Sequence, residues 1–187
     1  MADYKIVKIE SEVTNNMADS TNIKIGSCSV TFGGTDLGHT KGGVTVNYAP
    51  EYADITADQY GNTPIDKALV GEMWTVTVPL AEKTVANINK AIPLSTLAGA
   101  GDGRATIGQD AGARLLAQAS QLVLHPLTNA SGDLSGDIVF HKAVVHSEVE
   151  IPHAVDEQST VEVTFIALID TSKSEGNYLG HIGDSTD

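Results

Sequence analysis

Six histidines and one cysteine are the side chains of this sequence best suited to chemistry. A metal centre needs several such residues at ligand spacing. His39, His125, His153 and His181 are scattered, with no such spacing to a cysteine or carboxylate. His141 and His146 lie on one strand-like stretch at an odd offset, so they face opposite sides unless a bulge intervenes. The histidines therefore read as surface or interface residues. Cys28 stands alone and can form no intrachain disulfide. Gly99-Ala100-Gly101-Asp102-Gly103 is a poor phosphate loop. No strand leads directly into it, and Asp102 would repel a phosphate. Neither a Gly-x-Ser-x-Gly elbow nor a paired-carboxylate site is present. The expectation is a protein that is not an enzyme and that uses no cofactor and no metal.

The elements that could position any site are mostly strands. The 187 residues fit a single domain, 1–187, with enough apolar content (41%) to build a core. Acidic residues outnumber basic ones 24 to 11, for a net charge of -13, which argues against a nucleic-acid-gripping groove. An acidic surface can still serve DNA by letting it slide past without sticking. Lys5, Lys8 and Glu10 interrupt the opening stretch before an apolar leader can form, and no apolar run approaches a membrane span. We therefore expect folding in a cytoplasm and no membrane partner.

Period-two alternation dominates. Val44, Val46 and Tyr48 oppose Thr45 and Asn47; Ala53, Ile55 and Ala57 oppose Asp54, Thr56 and Asp58. Trp74, Val76, Val78 and Leu80 oppose Thr75 and Thr77, which places Trp74 in the core. Val161, Val163, Phe165, Ala167 and Ile169 share one face, against Thr160, Glu162 and Thr164 and then Ile166 and Leu168. Shorter strands are expected at Ser27–Phe32, Gln121–His125 and Asp137–His146, the last irregular enough for a bulge. One helix is expected over 82–92, with Val85, Ile88 and Ile92 as its apolar stripe and Pro93 as its stop. A weaker helix is expected at Gln109–Gln118. The ends, 1–25 and 172–187, read as flexible arms. The fold class is mainly β: a β-sandwich or partly open barrel with one flanking α-helix, a long projecting hairpin and two arms.

The least ordinary stretch is Phe32 to Leu80. Gly33 and Gly34 permit a tight turn. Pro50 separates two strands, and Asp58-Gln59-Tyr60-Gly61-Asn62-Thr63-Pro64 is a polar loop. A hairpin over 44–64 cannot bury its own backbone edges. It either pairs with a neighbouring chain or is an ordinary long surface hairpin, and periodicity does not separate the two.

The same stretch carries a resemblance. Phe32-Gly-Gly-Thr-Asp-Leu-Gly-His-Thr-Lys-Gly-Gly-Val-Thr-Val-Asn-Tyr48, then Ile55-Thr-Ala-Asp-Gln-Tyr-Gly-Asn-Thr-Pro-Ile-Asp66, then Val76-Thr-Val-Pro-Leu-Ala-Glu82 resembles the tail-tube (major tail) proteins of long-tailed phages with non-contractile tails. The likeness covers Val30 to Glu82; beyond it only the order of elements agrees. It implies hexameric rings stacked into a hollow tube in the virion, assembled in the host cytoplasm. It also implies that the hairpin and the terminal arms tie one ring to the next. The implied partners are further copies of the chain, a tape-measure protein, tail-tip (distal tail) proteins and a tail terminator. DNA would pass through the lumen without specific binding.

On that basis the expected contacts between subunits and rings are Tyr48, Pro50, Glu51, Tyr52, Asp54, Asp58, Gln59, Tyr60, Asn62 and Pro64. The expected lumen face is Thr45, Asn47, Thr75, Thr77 and Glu162, because a wall without basic residues offers phosphates nothing to bind. The alternatives are a head-decoration or other virion β-sandwich protein, and a secreted-type carbohydrate-binding sandwich or hydrolase. Five tyrosines and one tryptophan are a thin supply for sugar stacking.

Overall fold

The computed structural model describes residues 23–99, 103–153, 155 and 158–184. The strands are β1 (Cys28–Phe32), β2 (Thr35–Asp36), β3 (Thr45–Ile55), β4 (Asp66–Leu80), β5 (Thr96–Ala98), β6 (Arg104–Thr106), β7 (Ser120–Pro126), β8 (Ile138–Val145), β9 (Val161–Ala167) and β10 (Gly180–Ile182). The helix α1 is Val85–Ala91. One eight-stranded sheet runs β2-β1-β7-β8-β9-β4-β3, with β10 also on β8; β5 and β6 form a small second sheet. Every pairing is antiparallel.

The large sheet curls over its own core. In a flat sheet β1 and β9, with two strands between them, would lie roughly 14 Å apart. Instead the rings of Phe32 and Phe165 meet at 4.9 Å between centroids. Val30, Leu37, Val78, Leu122, Val161 and Val163 fill the curl and are almost fully buried. The sheet is not closed into a barrel. The stretch after β2 nevertheless reaches the end of β4, through a bridge between Thr40 and Leu80 and backbone bonds from Lys41 to Pro79 and from Ala81 to His39. A two-residue Gly33-Gly34 turn starts that crossing. Both glycines have positive φ (57° and 75°), the conformation a tight hairpin demands.

The hairpin differs from the expectation. No break occurs at Pro50: β3 runs unbroken through it to Ile55. The second arm is Asp66–Leu80, not a strand at Ala53–Asp58. β3 ends the sheet order, and an edge strand tolerates a residue without an N–H. The register slips after Pro50, with Glu51 facing Gly71 and Tyr52 facing Leu69, so Val70 is the extra residue of a bulge. The bulge expected within Asp137–His146 is present. Ser120 pairs with Ala143 and Leu122 with Phe140, and the core side of β8 passes from Phe140 to Ala143.

The helix is shorter than 82–92. Thr84 caps it by accepting the Asn87 N–H at 3.1 Å, and Lys90 sits in its last turn. Its buried residues are Asn87 and Ala91, whereas Val85, Ile88 and Ile92 are only half-buried. Asn87 explains the rotation, because its amide donates to the carbonyls of Leu37 (3.0 Å) and Glu82 (3.1 Å) and so faces the crossing segment. No helix forms over Gln109–Gln118; only the 3-10 turn Leu115–Gln118 is present. Ile169 lies past the end of β9 and is exposed. Among the described residues no helix is long and apolar enough to cross a membrane.

The C-terminal stretch expected as a free arm is docked as far as it is described. β10 pairs with β8, and Asp170 anchors the loop before it. The Asp170 carboxylate accepts from Lys142 Nζ (2.9 Å), Ser172 Oγ (2.8 Å) and the Ser172 N–H (3.1 Å). Those bonds, the one from Lys142 foremost, hold its carboxyl well below the usual carboxylate range. A depressed folded-state pKa contributes stability above the ordinary value of about 4 that disappears as pH falls. Asp170→Asn should therefore melt below the native protein at neutral pH, with the gap closing towards about pH 2. Melting curves across pH check this. Of the 1–25 arm, residues 1–22 lie outside the described residues.

Candidate assembly surface: the hairpin and the polar wall

Beyond Thr75, β4 leaves β9 and pairs with β3 alone. From Met73 to Asp66 that two-stranded ribbon projects roughly 25 Å from the body. Gly71 and Ala57 are partly covered; every other residue from 51 to 73 is exposed. Much of this exposure is apolar, including Tyr52 (53%), Tyr60 (66%), Ile65 (56%), Leu69 (53%) and Val70 (60%). A two-stranded ribbon is marginal alone in water, and this one has open backbone edges on both sides. Its cross-strand ion pair, Lys67 Nζ to Asp54 Oδ1 at 2.6 Å, is half-exposed and adds little.

The structure sorts the predicted contact residues by position. Tyr48, Pro50, Glu51, Tyr52 and Asp54 lie along β3. Asp58, Gln59 and Tyr60 form a 3-10 turn at the tip, and Asn62 and Pro64 follow in the exposed loop. Tyr48 belongs to the root: its ring packs on Trp74 at 4.6 Å. Trp74, expected in the core, is half-buried at the core's margin, between Tyr48 and Phe140. Beyond the expected contacts, β4 adds exposed apolar residues, among them Leu69, Val70 and Met73. The polar loop expected over Asp58–Pro64 stops short of this stretch, and the unbroken apolar run Ala68-Leu69-Val70 is its signal for strand.

The predicted lumen residues share one face. Thr45 faces Thr77, which faces Thr164; Asn47 faces Thr75, which faces Ile166; Glu162 faces Pro79. Thr77 and Thr164 share a hydroxyl hydrogen bond at 3.2 Å. The opposite side of the same strands carries Val76, Val78, Val163 and Phe165 in the core. Glu148 and Glu150 join Glu162 around a shallow recess, so the wall continues acidic. Lys142, two residues before Val144, is neutralised by Asp170.

Two histidine pairings are not visible in the spacing. His125 Nδ1 lies 2.6 Å from Asp137 Oδ1 because β7 and β8 place them side by side. The His141 and His181 rings stand 5.6 Å apart, and His141 Nε2 bonds Asn177 Oδ1 at 2.9 Å. Among the described residues no three His, Cys, Asp or Glu side chains converge as a metal site would require. Burial pushes the Cys28 thiol up, which keeps it protonated at neutral pH. No protein-family model matches this chain, and no curated protein is significantly similar to it.

Proposed function

We propose that this chain is a structural subunit of a phage tail tube, forming hexameric rings that stack around a DNA channel. The observation that carries the reading is the hairpin, which displays apolar side chains and two open backbone edges to solvent. Such a ribbon gains its missing partners when a neighbouring copy covers it. Head-to-tail contacts close within a ring and propagate between rings.

The run β8-β9-β4-β3 ends in a free strand and supplies four contiguous strands. Six such runs give about 24 strands, and a barrel roughly 45–50 Å across at the backbone. Side chains leave a bore on the order of 35–40 Å, wider than a DNA duplex of roughly 20 Å. The Thr, Asn and Glu face would line it, and its neutral to acidic character lets phosphates pass without counterion release.

The wall gives a direct test. Tubes assembled from a Thr45→Lys, Thr75→Lys double variant should retain DNA in low salt and release it as salt rises, while native tubes retain none. Filter retention of assembled material measures this. Equal retention by both proteins would remove Thr45 and Thr75 from the lumen. The alternative, a head-decoration or other virion β-sandwich protein, leaves the ribbon's two open edges unused.

A further inference from the structure

β9 ends its pairing with β8 at Ala167, and β10 takes up the vacated ladder positions from Phe140 to Ile138. β4 swings away at the same level as the hairpin. Between the hairpin root and β10 lies a cleft of about 220 Å³, lined by Glu72, Trp74, Ile138, Phe140, Tyr178 and His181 among others. We propose that this cleft binds an organic cation: an alkylammonium or guanidinium group on a short aliphatic stem.

Three features point to that ligand class. First, the walls are aromatic. Trp74 is fixed by Tyr48 (4.6 Å) and Phe140 (5.9 Å), and aromatic faces attract cations within about 6 Å of the ring centre. Second, a carboxylate stands at the mouth. Glu72 is exposed and belongs to none of the described salt bridges. Burial of the ring first, and then the nearby Glu72 carboxylate, pushes the Tyr48 phenol up. Third, Ile138 and Ile182 offer apolar surface for a stem. The volume is below that of sites for drug-sized ligands and suits a chain of a few carbons. The net charge of -13 raises the local concentration of any cation. The cation could be a free polyamine or the side chain of a lysine or arginine.

Trp74 is the only tryptophan, so its emission reports on this cleft alone. The test titrates dilute full-length protein at fixed ionic strength with putrescine, Nα-acetyl-lysine amide and, as neutral comparator, Nα-acetyl-norleucine amide. A saturable change in Trp74 emission is expected with at least one cation. Putrescine alone would identify a free amine as the ligand; the lysine amide alone would identify a protein side chain. Glu72→Gln should weaken the response roughly five-fold, with Glu72→Asp intermediate. Glu72 lies on the exposed ribbon, and an unchanged urea midpoint confirms that each variant is folded. No saturable response, equal binding of the norleucine amide, or unchanged affinity in Glu72→Gln would overturn the proposal. Because the protein is dilute and unassembled, the result is independent of the tube reading.

Discussion

Replacing residues 50–72 with Asn-Gly, so that Ala49 faces Met73 across a tight turn, is expected to give a folded protein that no longer polymerises. The excised stretch supplies no residue of the buried core, which lies in β1, β7, β8, β9, the inner half of β4, α1 and Leu37. Asn-Gly is the preferred two-residue connection between antiparallel strands. The body should therefore keep its stability to within about 1 kcal/mol, as surface changes usually do. Assembly should be lost outright, because Tyr52, Ile55, Tyr60, Ile65, Leu69 and Val70 leave with the ribbon. Burial of each such side chain contributes about 1.5–3 kcal/mol, so losing even three costs roughly 5 kcal/mol of gross contact energy. That corresponds to more than a thousand-fold in association. Thermal melting and light scattering measure the two halves of the prediction. Normal tubes from this variant would eliminate the ribbon as the joining element.

Phe165→Ala should have the largest effect on the fold itself. Phe165 is 1% exposed and sits at mid-sheet, between Val76 on β4 and Val145 on β8. Its ring also meets Phe32 from the other side of the curl, so one side chain joins both walls of the core. Truncating a buried phenylalanine costs about 3–5 kcal/mol. That is a large share of the 5–15 kcal/mol of typical domain stability, roughly. The urea midpoint should fall accordingly. A loss below about 1 kcal/mol would show that the core recloses around the site and that the curl does not depend on Phe165. The neighbouring Thr164 faces the polar wall instead, one residue away on the same strand.

That one-residue contrast explains what was legible in the sequence. Alternation placed Val161, Val163 and Phe165 on the core side and Glu162 and Thr164 on the other, because a strand's faces follow from its own period. The same logic grouped Thr45, Asn47, Thr75, Thr77 and Glu162, and the ladders place all five on one face. Pairing partners are not encoded in a local period. The junction of Asp66–Met73 with β3, the placing of His125 beside Asp137, and the return of β10 to β8 each join residues distant in sequence. Pro50 misled because its cost depends on whether its strand lies at an edge, which is a property of the whole sheet. In α1, the hydrogen bonds of Asn87 decided which side faces inward, and a hydrophobic stripe cannot show that. The C-terminal stretch has the polar composition of a free arm, yet a buried carboxylate and a short ladder hold it on β8.

The proposed hollow tube is open to direct observation by electron microscopy of the purified protein. Negative-stain images at high protein concentration, with and without tail-tip complexes as nuclei, would be averaged end-on and side-on. Six-fold rings or stacked tubes with an open bore on the order of 35–40 Å are expected. A strict monomer at high concentration, unchanged when the nuclei are added, would contradict the tube reading.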